Sequence, residues 1–176
     1  MSLYYVPTTP AEVTEDWICQ TLKTSLTNKG QDVSEVKVTY FKASKPAEFG
    51  MLSSVFQAVC EAQSPDGSKS EHKLFIKIMP QDKEHKDLFD ATAMDVTEVE
   101  CYNSLFAELI EFEKEKLGEG ANFSAYLPKC VASGYVNEVG KTRAFFLMME
   151  DLSPKFKMEN IDKGKYVNER LQPCVW

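Results

Sequence analysis

Histidine is nearly absent from this chain. His72 and His85 are the two it has, and neither lies near a cysteine at ligand spacing, which removes a Cys/His zinc site. The five cysteines, Cys19, Cys60, Cys101, Cys130 and Cys174, are widely spaced, odd in number and contain no CxxC. A disulfide framework is therefore not the organising principle, and reduced thiols in a cytoplasmic protein are the simpler expectation. Basic blocks are missing too. With a formal net charge of −7 the chain has nothing to neutralise a run of phosphates, so nucleic acid is not an expected partner. A small anion, which needs only a few local donors, is not excluded. No apolar run approaches the length of a membrane span. Met1-Ser2-Leu3-Tyr4-Tyr5-Val6-Pro7 lacks the basic start and long apolar centre of a secretion signal. The triplet Asn122-Phe123-Ser124 would matter as a glycosylation acceptor only in a secreted protein.

What is present is a chain of 176 residues, room for one domain with a core or for one lobe of something larger. Thr9-Pro10-Ala11-Glu12 has the form of a capping box with proline at the first helical position. Val13, Trp17, Ile18, Leu22 and Leu26 then recur at three- and four-residue spacing, which predicts one amphipathic helix ending at Asn28-Lys29-Gly30. Alternation over Val36–Phe41 predicts a first strand, and Val55–Cys60 a second. Ser64-Pro65-Asp66-Gly67-Ser68 is turn chemistry joining the second strand to a third, Lys73–Met79, as an antiparallel meander. From about Lys86 to Lys116 the pattern is helical, with room for a bend near Asp90-Ala91-Thr92. The acidic run Glu108 to Glu115 is spread around that helix and reads as a solvated end, not a metal site. Leu127–Val136 and the apolar Arg143–Met149 predict two further strands, the last of them central. The expected fold is α+β: a five-stranded antiparallel sheet, a long helix between strands 3 and 4, and an extra N-terminal helix. That is the layout of the smaller lobe of a kinase with a helix added in front.

The stretch Leu74-Phe75-Ile76-Lys77-Ile78-Met79-Pro80 carries the chemistry. It is a buried-strand pattern with one interior charge, and an ammonium there must reach a solvent edge or meet negative charge. Glu98 offers that charge from Val96-Thr97-Glu98-Val99-Glu100-Cys101-Tyr102, within the predicted helix. A strand lysine matched by a helix glutamate is how kinase-type enzymes hold the phosphates of ATP. The plainer alternative is a surface lysine near an unrelated acidic helix. Glu100 is a rival partner, but two residues along a helix turn it about 160° away from Glu98, so both cannot serve together.

Phe75-Ile76-Lys77-Ile78-Met79-Pro80, then Glu98 with Tyr102, then Leu147-Met148-Met149-Glu150-Asp151-Leu152 resemble the ecdysteroid-kinase-like (juvenile-hormone-inducible, CHK-kinase-like) family. That family is related to choline kinases and aminoglycoside phosphotransferases. The resemblance spans roughly Val33 to Asp162. It implies that Lys77 contacts the α and β phosphates of ATP, that Glu98 orients it, and that Tyr102 packs one turn below. It implies a phosphate-covering turn at Gly50 to Ser54, with Ser53 or Ser54 assisting, although the pattern is departed from: one glycine, followed by the bulky Met51-Leu52. It also implies that the backbone of Met149, Glu150, Asp151 and Leu152 meets the adenine edge, with Phe146 and Met148 among the groups walling the base. Asp151 or Ser153 serves equally well as a cap before a helix or turn.

The resemblance further implies ATP and Mg²⁺ as cofactors and a small lipophilic alcohol, such as a steroid, as acceptor. The catalytic base and metal ligands are expected in a second lobe, and nothing after Asp162 resembles its motifs, so this chain alone is expected to be inactive. The domain expectation is 1–30 as a capped helix packed on the lobe, 31–153 as the lobe, and 154–176 as a truncated or divergent start of the second lobe. A different reading is a non-catalytic kinase-like domain that associates with proteins through an exposed lobe-docking face, or sequesters nucleotide.

Overall fold

The apolar stripe near the N-terminus does form a helix, but it starts later than the capping box implies. In the computed structural model, which describes residues 4–44, 53–120, 123–138 and 140–152, Pro10–Glu12 is an isolated 3-10 turn and helix α1 is Glu15–Asn28. Val13 is buried in a non-helical conformation (φ −81°, ψ 83°), which breaks the run and requires a fresh cap. That cap is Thr14, whose hydroxyl accepts the Trp17 N–H at 3.1 Å, while the Thr9 side chain caps nothing. Glu12 still reaches back, but to Thr8: its carboxylate accepts the Thr8 N–H at 2.7 Å and the Tyr5 hydroxyl at 2.9 Å. After α1, Gly30 takes the left-handed conformation (φ 78°) that a helix end of this kind needs.

Five strands follow in the described residues: β1 Glu35–Ser44, β2 Ser54–Gln63, β3 Lys69–Ile78, β4 Cys130–Val136 and β5 Ala144–Glu150. They form one sheet of order β1-β2-β3-β5-β4, every pair antiparallel. The last strand therefore inserts between β3 and β4. This explains its unbroken apolar sequence, since Ala144 through Met149 are buried on both faces. In β1 the simple alternation fails at Thr39, where the register shifts and the hydroxyl bonds the Val59 carbonyl at 3.1 Å. The bulge brings Phe41 rather than Tyr40 onto the core side with Val36 and Val38, stacked on Phe56.

The helical stretch between β3 and β4 is segmented. Helix α2 (Lys83–Thr92) is capped by Asp82, which accepts the His85 N–H at 2.9 Å. Ala93, with φ 52°, turns the chain into α3 (Met94–Glu100), just beyond the stretch where a bend was expected. A π turn over Cys101–Leu105 leads to α4 (Phe106–Leu117).

Period-two alternation sorts the strands onto two cores. On one face α1 places Ile18, Leu22 and Leu26 against Leu74, Ile76, Ile78, Phe146 and Met148. Trp17 and Tyr4 both meet the Phe146 ring edge-on. The Ser25 hydroxyl donates to the Val131 carbonyl, tying α1 to the outer edge of β4. On the other face, Phe89 of α2 and Val99 of α3 pack on Phe145, Leu147 and Met149. Helix α4 has no buried residue and leaves Leu109, Phe112 and Leu117 exposed. The four described cysteines are free thiols, and burial pushes that of Cys60 up to about 12, which keeps it unreactive at neutral pH. Among the described residues no helix is long and apolar enough to cross a membrane.

The shifted cap is directly testable. Thr14→Ala is expected to destabilise the protein by about 1 kcal/mol in urea denaturation, and Thr9→Ala by no more than about 0.3 kcal/mol. Equal effects would return the helix start to Thr9.

Candidate functional site

Lys77 lies near the end of β3, paired with Val55 on β2 and Leu147 on β5. Alternation sends Ile76 and Ile78 into the core beneath α1, so Lys77 shares the other face with Phe75 and Met79. Helix α3 lies over part of that face, held down by Val99. One residue before Val99, Glu98 meets the lysine: Nζ to Oε1 is 2.5 Å. The Lys77 side chain is 13 % exposed and that of Glu98 32 %, so the pair sits at the border of the packed region, still in contact with water. Glu100 does not compete. It accepts a hydrogen bond from the Tyr135 hydroxyl of β4, which holds that phenol above its usual pKa. Tyr102 packs below on the same face as Val99, and burial, then the Glu98 charge, raises its pKa.

The two serines differ. Ser54 pairs with Ile78, a residue of the core beneath α1. Ser53 is 1 % exposed and stands two residues before Val55, the strand partner of Lys77. Gly50 lies outside the described residues.

At the far end of the same face, Phe75 is paired with Met149. The chain then leaves β5 through half-buried Glu150, Asp151 and Leu152. Two amide hydrogens there are already committed: Glu150 N–H to the Lys129 carbonyl at 2.9 Å, and Asp151 N–H to the Lys73 carbonyl at 2.8 Å. The Asp151 carboxylate also accepts from Gln57 Nε2 at 3.3 Å. Phe146 and Met148 are not on this side at all. Both point into the core beneath α1, because a residue next to Leu147 or Met149 on a strand must face the other way. The expectation that they wall a base on the lysine's face is thereby corrected; the apolar residues on that face are Phe75 and Met149.

One ion pair escaped the sequence reading. Asp95, 0 % exposed, is gripped through both carboxylate oxygens by Arg143, with Nε to Oδ2 at 2.8 Å and Nη2 on Oδ1. Arg143 Nη1 also reaches Asp90 Oδ1 at 3.2 Å, and the Asp95 hydrogen bond holds the guanidinium pKa above its usual value. A signal was available: Asp95, Val99 and Tyr102 fall at i, i+4 and i+7, which puts a carboxylate on the helix stripe that must be buried.

Among the described residues no group of three or more His, Cys, Asp or Glu side chains could hold a metal ion. Neither of two surface grooves, of about 660 and 780 Å³, is lined by Lys77 or Glu98: one lies beside the end of α1 and reaches Glu150 and Asp151 at the exit of β5, the other lies beside Tyr4 and Tyr135.

A five-stranded antiparallel sheet with an internal strand lysine and a matching glutamate on the helix that follows defines a kinase-like lobe. The ecdysteroid kinase-like family matches residues 49–173, most of the chain, and the protein belongs to that family, whose fold is that of a small-molecule phosphotransferase. No curated protein and no solved structure matches the chain.

The two ion pairs should differ in energetic weight. Asp95→Ala leaves a cation without its buried partner and is expected to cost about 3–5 kcal/mol in chemical denaturation. Glu98→Ala, whose site retains water, is expected to cost no more than about 1 kcal/mol. The reverse order would mean that α3 is held through Glu98.

Proposed function

We infer that this chain is the ATP-binding lobe of a small-molecule kinase that transfers the γ phosphate to a hydroxyl on a small lipophilic alcohol, such as a steroid. The observation that carries the reading is the Lys77–Glu98 pair, at 2.5 Å on the sheet face that α1 leaves free. Glu98 restrains the long lysine stem and offsets part of its burial cost, which presents a compact positive charge to the α and β phosphates. Because the pair is partly wet and weak, the amine can turn toward phosphate without loss of the fold. Ser53 supplies a hydroxyl at the entry to β2, the strand beside that of the lysine, with Ser54 next to it and Gly50 keeping the backbone-cradle role. Phe75 and Met149 form the apolar shelf for the base. With the Glu150 and Asp151 amides committed to neighbouring strands, the Leu152 N–H is the donor toward the adenine edge.

Mg²⁺ would neutralise charge on the transferring phosphates, but the described residues offer no cluster to hold it. The reading gives this lobe the phosphate and base contacts only. In this reading the metal ligands and the base that accepts the substrate proton belong to a second lobe. In the same reading 1–30 is the helical addition, 31–153 the lobe and 154–176 the start of the second lobe, in a cytoplasmic enzyme. A second reading, a non-catalytic module that binds protein, is favoured by one observation: Leu105, Leu109 and Phe112 form an exposed apolar ridge running into α4.

Calorimetric titration separates the two. Wild type is expected to bind ATP weakly but saturably, with or without Mg²⁺, and Lys77→Ala to lose about tenfold in affinity or more while keeping its circular dichroism spectrum. Absence of binding by wild type, or equal binding by both proteins, would contradict the nucleotide reading.

A further inference from the structure

Among the described residues Glu98 is tied to the sheet through Lys77, and that contact sits at the border of the packed region, partly in water. Something else must fix the rotation of α3, a helix of two turns that follows a bend. The bend residue, Ala93, has φ 52°, a conformation that an L side chain adopts at a cost. A single guanidinium spans it. Arg143, at the entry to β5, contacts Asp90 on the α2 side through both the carboxylate and the backbone carbonyl, at 3.2 and 3.4 Å. On the α3 side it takes both oxygens of the fully buried Asp95. Asp95 lies three residues before Glu98, so the two carboxylates project from neighbouring positions on one helix surface. The two ion pairs join α3 to adjacent strands, Asp95 to the start of β5 and Glu98 to β3.

We propose that Arg143 and Asp95 are positioning residues for the Lys77–Glu98 pair: the buried bidentate contact sets the rotation of α3 and so the point at which the Glu98 carboxylate meets the lysine. Neither residue lines the cleft. Planarity is the reason arginine stands here. A fork that takes two oxygens fixes the orientation of the carboxylate, whereas a point charge fixes only its distance. The consequence for nucleotide rests on the function proposed above; the consequence for Lys77 does not.

The test uses the full chain with Arg143→Lys and Asp95→Asn, which keep charge or shape, and Leu22→Ala as a control that weakens the opposite core without touching α3. The first readout needs no nucleotide: the rate at which an amine-reactive acylating reagent modifies Lys77 at fixed pH, followed by peptide mass spectrometry well below each melting temperature. Both positioning variants are expected to react at Lys77 at least fivefold faster than wild type, and Leu22→Ala at the wild-type rate. The same proteins are then titrated with ATP, where the two variants are expected to lose fivefold or more in affinity and the control nothing. Unchanged Lys77 reactivity in Arg143→Lys and Asp95→Asn overturns the proposal whether or not ATP binds, as does equal acceleration in the control. Faster modification in the two variants, with no ATP binding by any of the proteins, upholds the positioning role and removes the nucleotide function instead.

Discussion

The amine of Lys77 is placed where a strand would otherwise carry an apolar group. Its flanking residues, Ile76 and Ile78, are fully buried in the core beneath α1, and its cross-strand neighbours are Val55 and Leu147. A charge in that setting must be matched or reach water, and at the border of the packed region Lys77 has both Glu98 and a water-facing edge. Much of the remaining architecture follows from having to deliver Glu98 there. The chain must leave β3, cross the free face, and present a carboxylate over the third strand before returning to build β4 and β5. Segmentation of the helical stretch serves this: a bend at Ala93 aims α3 across the sheet, and the π turn at Cys101–Leu105 redirects the chain away from it.

The two faces of the sheet are put to different uses. Beneath α1 the packing is aliphatic and aromatic throughout, with Phe146 held between Tyr4 and Trp17, and it supplies the bulk of the stability. The other face is roofed in part by Phe89 and Val99, and Lys77, Phe75 and Met149 lie along its remainder toward the exit of β5. The exposed apolar ridge on α4 belongs to neither core.

Most of the fold is legible in local pattern. Local pattern located all five strands, the unbroken apolar run Ala144–Met149 marked the interior strand, and Gly30 marked the end of α1. The pairing of Lys77 with Glu98 is what the family resemblance implies; residue type and order alone leave a surface lysine near an acidic helix as the plainer reading. What local pattern did not carry were features set by competition between equal signals. Thr9 and Thr14 both suit a helix cap, and the burial of Val13 decided between them. Phe146 and Met148 are as apolar as Leu147 and Met149, so only the strand register could say which pair faces the lysine. The Asp95–Arg143 contact joins residues far apart in sequence: the helix stripe marks Asp95 for burial, but nothing local names Arg143 as its partner.

The central claim is that Glu98 acts on nucleotide through Lys77 and not by itself. A double-mutant cycle on ATP affinity, with Lys77→Met, Glu98→Gln and both together, measures that dependence directly. The account predicts that Glu98→Gln weakens binding in the wild-type background and changes nothing once Lys77 is methionine. Losses that simply add, within about 0.3–0.5 kcal/mol, would show the two side chains acting independently and would contradict it.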